Sequence, residues 1–189
     1  MSKKLVKLTE GDLHRIIKES VKRVLNESWF SGKLKVYHYT NPRNAESILK
    51  NGFLKSRMGV AGGSLYGPGV YFTLSPEPQL AMPYGGTIIE CEVFSNNAIF
   101  FDLKLAQKFG NMSPYDVVDD IKEKLGVEAA KLFVNMTSEG KKSSFIVLEL
   151  RKRGLLDTKY DIVFNSYRNG QVYLARNVHS ITPLRIISQ

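Results

Sequence analysis

Only one cysteine, Cys91, and three histidines, His14, His38 and His179, occur among the 189 residues. One cysteine excludes an internal disulfide, and three scattered histidines beside it form no set with zinc-ligand spacing. Cys91 lies within TIIECEVF, where a thiol is expected to be a small buried strand residue. No apolar run approaches the roughly 18 residues that a membrane-spanning helix needs. The opening MSKK is not followed by the apolar core of a secretory signal peptide. The most glycine-dense stretch, GGSLYGPG, lacks the Lys-Ser/Thr of a P-loop, which excludes that route to nucleoside-triphosphate hydrolysis. Together these absences predict a soluble protein of a reducing cytoplasm with no membrane span and no metal centre.

What is present is ordinary in amount and uneven in place. Hydrophobic residues make up 43% and charged residues 24%, as in a globular protein. The length suits one domain plus an appendage. Of the formal charge of +9, residues 1–35 carry nine Lys/Arg against four Asp/Glu. The basic character is therefore mainly a property of the N-terminal segment, which suits contact with nucleic acid, an anionic surface or an acidic groove. Residues 8–27, LTEGDLHRIIKESVKRVLNE, are patterned as a helix. Thr9 and Asp12 stand in capping-box position. Leu13, Ile16, Ile17, Val21, Val24 and Leu25 form one apolar stripe. Isolated, such a helix is marginal, so the stripe must pack on the body of the protein or on a partner. Residues 1–32 are expected to be a basic amphipathic helix and linker, and residues 33–189 a separate domain.

In that domain, a strand is expected over 35–39. A helix starts at Asn41-Pro42 and ends at Gly52. A glycine-rich loop fills 58–69, and a strand covers 70–74. A turn or short helix reaches Met82, and strands follow over 87–94 and 98–103. Helices are expected over 114–125, 127–134 and 143–153. Strands over 160–164, 172–175 and 180–187 close the chain, with Arg168-Asn169-Gly170 as a turn between the first two. The sum is an α+β domain with a mostly antiparallel or split sheet and peripheral helices.

Two stretches carry the chemistry. VYHYTNPRNAESILKNGF places His38 in a strand just ahead of a helix. YGPGVYFT places Tyr71 after glycines on both sides of Pro68, where the backbone can approach a ligand closely. Singly, a strand histidine or tyrosine is most often structural. Beside a long glycine-rich loop, an aromatic ring suits a planar group such as nicotinamide or a base.

HYT at 38–40, ILKNGF at 48–53 and GPGVYFT at 67–73 resemble ADP-ribosyltransferases of the diphtheria-toxin and poly-ADP-ribose-polymerase type. LELRKRGLLDTKYDIVF and VHSITPLRII resemble later parts of the same family, so the likeness runs over residues 35–189. It implies a split antiparallel sheet, NAD as substrate, and roles for particular residues. His38 would hydrogen-bond the adenosine ribose. Tyr39 would hold the nicotinamide carboxamide through its backbone, with Thr40 and Gly69 among the binding residues. Tyr71 would stack on nicotinamide, and Tyr84 would cover its other face. A ring held this way is oriented and desolvated, which favours its departure and an oxocarbenium-like ribosyl cation.

The same likeness places a glutamate near the start of the penultimate strand, to bond a ribose hydroxyl and stabilise the cation. This chain reads GQVYLARNVHSI there. Aligning on Ile181 gives Val172 that position, and a one-residue shift gives it to Gln171. Neither is acidic. Loss of a well-placed electrostatic group typically costs about 2.7–4 kcal/mol, or roughly 100- to 1000-fold in rate. The implied activity is therefore mono-ADP-ribosylation of a host protein or nucleic acid, without polymer extension, or a fold retained without catalysis. A tRNA 2′-phosphotransferase shares the fold but calls for additional arginines around the histidine motifs, a pattern absent here. The helix at 8–27 is similar to a leader on otherwise unrelated proteins of crAss-like bacteriophages. That likeness implies a docking or virion-loading tag, and a protein found in the bacterial host cytoplasm, the phage virion or both.

Overall fold

The computed structural model describes residue 9 and residues 33–54, 65–94, 97–166 and 170–188. The helix expected over 8–27, most of the glycine-rich loop expected over 58–69 and most of the turn expected at Arg168-Asn169-Gly170 lie outside them. The described chain is α+β, with six helices around one seven-stranded mixed sheet.

The strands are β1 (Leu34–Thr40), β2 (Val70–Thr73), β3 (Thr87–Val93), β4 (Ala98–Phe100), β5 (Asp161–Ser166), β6 (Gly170–Ala175) and β7 (Ile181–Ser188). Across the sheet they run β4-β5-β6-β2-β1-β3-β7. Five of the six pairings are antiparallel, and β4 with β5 is parallel. The ladders are of unequal length. β1 pairs with β3 at seven positions and β2 with β6 at four, yet β1 and β2 meet at Tyr37↔Thr73 alone. The sheet is thus two well-laddered halves joined at one narrow seam.

Local chemistry explains most of the helices. In α1 (Pro42–Asn51), the Asn41 side chain accepts the Asn44 N–H at 2.9 Å, Pro42 supplies a preset φ, and Gly52 ends the helix. The expected turn after β2 is a short helix, α2 (Pro78–Ala81), continued by a 3₁₀ turn over Met82–Tyr84. Residues 98–103, expected to be one strand, instead break at Asp102. Its carboxylate accepts the N–H groups of Lys104 and Leu105 at 3.0 and 3.1 Å and starts α3 (Leu103–Gly110). A helix cap therefore overrides a continuous apolar run. Ser113 and Asp116 form a reciprocal capping box at the head of α4 (Pro114–Leu125). Gly126 separates α4 from α5 (Val127–Ser138), which runs four residues beyond its expected end. The last helix is α6 (Ser143–Lys152).

Residues opposite one another in a ladder share a face. Val36 and His38 therefore share a face with Cys91 and Ile89, while Tyr71 and Thr73 share the other with Leu174 and Val172. Both faces of the β5–β6 half are buried: Ile162, Val163, Phe164, Tyr173 and Leu174 are all inaccessible to solvent. Cys91 is buried, and burial pushes its thiol up to about 12, as expected for an inert strand residue. No described helix is long and apolar enough to cross a membrane.

Candidate functional site at the seam between two half-sheets

The seam brings His38 to Tyr71, but through the backbone of the latter. The Nδ1 atom of His38 lies 3.0 Å from the Tyr71 carbonyl oxygen. The imidazole packs edge-on against Phe53, with centroids 5.1 Å apart, and at a tilt against Phe72 at 5.7 Å. Tyr71 and Phe72 are neighbours on β2 and so project to opposite sides. The phenol of Tyr71 thus leaves on the face away from the imidazole. The two residues flank one seam from its two sides.

This geometry fixes the state of the histidine. A carbonyl only accepts, so Nδ1 carries the proton. Burial lowers the His38 pKa from its usual 6.5, outweighing the hydrogen bond to Tyr71. The ring is neutral at pH 7, and Nε2 is an acceptor. Among the described residues, Nε2 has no hydrogen-bond partner.

Tyr71 is half-buried, and its hydroxyl donates to the Gly67 carbonyl at 2.7 Å. Burial pushes it up to about 12, although the Arg176 guanidinium nearby works the other way, so it remains a phenol. The segment leading into β2 is held from several directions. Arg176 donates to the carbonyls of Pro68 and of Tyr66, the latter at 3.2 Å, and Arg151 donates to the carbonyl of Leu65. Asp161 orders the Arg176 region in turn. Its carboxylate accepts the Arg176 backbone N–H at 2.7 Å and the Tyr173 hydroxyl at 2.6 Å. Arg151, Arg176 and Asp161 are not among the candidates from sequence, because an isolated charge on a helix, after a strand or at the head of one carries no periodic signal.

Gly69 is required by packing. Its φ is +152°, and a Cβ there would lie 2.4 Å from Leu174 Cδ1 and 2.5 Å from the Ala175 carbonyl oxygen. The close approach expected at this glycine is therefore to strand β6.

Tyr39 and Thr73 form a second cluster, on the Tyr71 side of the sheet. The Thr73 hydroxyl gives its proton to the Ser75 carbonyl at 2.6 Å. It can then only accept from Tyr39, whose hydroxyl is 2.8 Å away. The Tyr39 oxygen also accepts the Glu77 N–H at 2.9 Å. Burial raises the Tyr39 pKa, and the adjacent Glu77 charge adds to the rise. The side chain of Tyr39 thus pins the turn after β2. Thr40, which closes β1, is buried.

Tyr84 is 48% exposed on the 3₁₀ turn, with no ring contact to Tyr71 among the described residues. Its neighbour Gly85 abuts Asn41, so the turn lies against the junction of β1 and α1. Of the two candidates on β6, Val172 is buried opposite Thr73 and Phe164. Gln171 is half-buried opposite Asn165, and its carbonyl accepts the Leu74 N–H at 3.2 Å. Being adjacent to Val172, it projects to the other face, the one that carries His38. His179 is exposed on the 3₁₀ turn before β7.

No family model matches the chain, and no curated protein matches it. Among solved structures, a crystal structure of an anti-CRISPR protein is similar to it over 82% of this chain and 98% of that one, with 12% identity and a TM-score of 0.36.

Proposed function

We propose that the seam between β1 and β2 binds NAD, and that the protein is a phage-encoded mono-ADP-ribosyltransferase acting on a macromolecule of its bacterial host. The observation that carries this reading is the fixed tautomer of His38. Its Nδ1–H is committed to the Tyr71 carbonyl, which leaves Nε2 as a neutral acceptor. A ribose hydroxyl is the matching donor. Tyr71 supplies an aromatic face whose hydroxyl is already satisfied, so the ring is held in place before a ligand arrives. A dinucleotide on these two residues lies across the seam, one end on each side.

In the transfer, the bond between ribose C1′ and the pyridinium nitrogen breaks, and its electron pair stays with departing nicotinamide. C1′ is then bonded by a nucleophilic atom of the acceptor. His38 anchors the dinucleotide through its adenosine ribose, and Tyr71 and the residues after β2 orient and desolvate the leaving ring.

A second reading is supported by Val172 and Gln171, the two residues on which the resemblance can place its acid: the first is a buried aliphatic residue and the second an uncharged amide. In it the fold is catalytically silent and serves as a virion component docked through residues 8–27. Labelled NAD incubated with a bacterial lysate separates the two. The transferase reading expects label on lysate macromolecules with the wild-type chain and none with His38→Ala. Equal labelling by both, or none by either, overturns it, and calorimetry with NAD then tests whether the seam still binds.

A further inference from the structure

The seam as described lacks one element that its proposed chemistry needs. Departure of nicotinamide leaves positive charge on the ribose, and a carboxylate at that point lowers the barrier. Strand β6 offers none. Three nearby carboxylates have different standings. Asp161 has both oxygens engaged by Tyr173 and Arg176. Glu90 is neutralised by Lys35 at 3.1 Å and Arg185 at 3.3 Å, and these lower its pKa, Lys35 most. Glu77 is different. It stands at the N-cap of α2, where an acidic side chain ordinarily turns back onto the helix, yet it makes no capping bond. Its carboxylate reaches across to the head of β6 instead. Oε1 lies 3.3 Å from where a Cβ on Gly170 would be, and 3.4 Å from the Ser75 hydroxyl. Its backbone is tied to Tyr39 at 2.9 Å, on the Tyr71 side of the seam. Among the described residues no cation pairs with it.

We propose that Glu77 supplies the carboxylate that stabilises the ribosyl cation, brought to the head of β6 from the loop after β2. The inference rests on the reading of the seam as an NAD site. As the C1′–nitrogen bond breaks and its pair leaves with nicotinamide, the carboxylate faces the cationic ribose. When the acceptor atom bonds to C1′, its proton passes to Glu77 and from there to solvent. The Tyr39 hydroxyl, which accepts the Glu77 backbone N–H, and the Ser75 hydroxyl, which donates to Oε1, act as positioning groups for this residue.

Wild type, Glu77→Gln, Glu77→Asp and His38→Ala are compared for NAD affinity by calorimetry and for nicotinamide release with a bacterial lysate. Glu77→Gln is expected to bind NAD within about threefold of wild type while releasing nicotinamide about 100-fold more slowly or worse. Glu77→Asp, which keeps the charge but withdraws it by one methylene, is expected to fall between the two. If Glu77→Gln does not fold, Glu77→Asp decides alone: a rate at least about tenfold lower at unchanged affinity supports the role, and a wild-type rate ends it. A Glu77→Gln protein as fast as wild type, beside an inactive His38→Ala, removes Glu77 from the chemistry and leaves the NAD reading standing. Loss of affinity in step with rate reduces Glu77 to a positioning residue and overturns the proposal. A wild-type chain that neither binds nor consumes NAD removes the reading itself, and this inference with it.

Discussion

The Nδ1 atom of His38 lies 3.0 Å from the backbone oxygen of Tyr71, so one hydrogen bond ties the two half-sheets together where their ladder is shortest. The bond does structural and chemical work at once. It closes the seam, and it decides which imidazole nitrogen can accept from a ligand.

A pH dependence follows from that bond. Burial holds the His38 pKa below 6.5, the value of the unfolded chain. Below about pH 6.5 the unfolded chain takes up a proton that the folded protein resists, so stability falls with pH. The His38 contribution is complete above 6.5 and is lost as pH drops towards the folded pKa. Urea unfolding between pH 7.5 and 5 is expected to show this slope, and His38→Gln is expected to flatten it. An unchanged slope in His38→Gln contradicts the neutral, half-buried histidine.

The first half of the domain was largely legible in the sequence, because its punctuation is local. Asn41-Pro42 and Gly52 bracket α1 by capping chemistry that depends on a few adjacent residues. What was not legible depends on distant partners. Ala98–Phe100 forms a parallel ladder with Asp161–Val163, and no local pattern encodes that pairing. Asp102 ends the apolar run at 98–101 by capping a helix, a role visible only once its carboxylate has N–H groups to bond. At the candidate site, residue type and neighbourhood singled out His38 and Tyr71, and the structure brings the His38 ring to the Tyr71 carbonyl. Their departure to opposite faces required the register between β1, β2 and β6. The grip of Arg151 and Arg176 on the segment before β2 was hidden for a similar reason, since each spans more than 80 residues of sequence.

Tyr173 and Asp161 make the second prediction. The Tyr173 hydroxyl donates to Asp161 at 2.6 Å in a fully buried position. Tyr173→Phe keeps the ring but removes one donor from a buried carboxylate. The expected cost is about 1–3 kcal/mol, measured by denaturant unfolding. The carboxylate would then be held by the Arg176 N–H and other contacts alone. A neutral Tyr173→Phe would mean that this bond contributes nothing net to the fold.

Gly69 gives a steric prediction. A methyl group at this φ meets both the Leu174 side chain and the Ala175 carbonyl oxygen. Gly69→Ala is expected to cost about 1–3 kcal/mol, because β2 must move away from β6. Trimming Leu174 to alanine in the same chain relieves only the side-chain clash, and the carbonyl remains. The double variant is therefore expected to stay less stable than Leu174→Ala alone by thermal melting. Equal stability of those two would show that the carbonyl contact is readily relaxed.

Tyr39 offers the finest test of how the seam is organised. Its hydroxyl accepts the Glu77 N–H and donates to Thr73, so it fixes both the turn and the residue proposed to carry the charge. Tyr39→Phe preserves the ring and leaves the Glu77 N–H without its acceptor. The net loss of stability is expected to be modest, about 0.5–1.5 kcal/mol, because the site is only half-buried and water can replace part of the interaction. Amide exchange at Glu77 is expected to quicken, while exchange in the β1–β3 ladder stays slow. If Glu77 faces the ribosyl cation, the same variant lowers the rate of nicotinamide release more than it lowers NAD affinity, because a displaced carboxylate matters most when charge has developed. A matched fall in both would place Tyr39 among the groups that only hold the ligand.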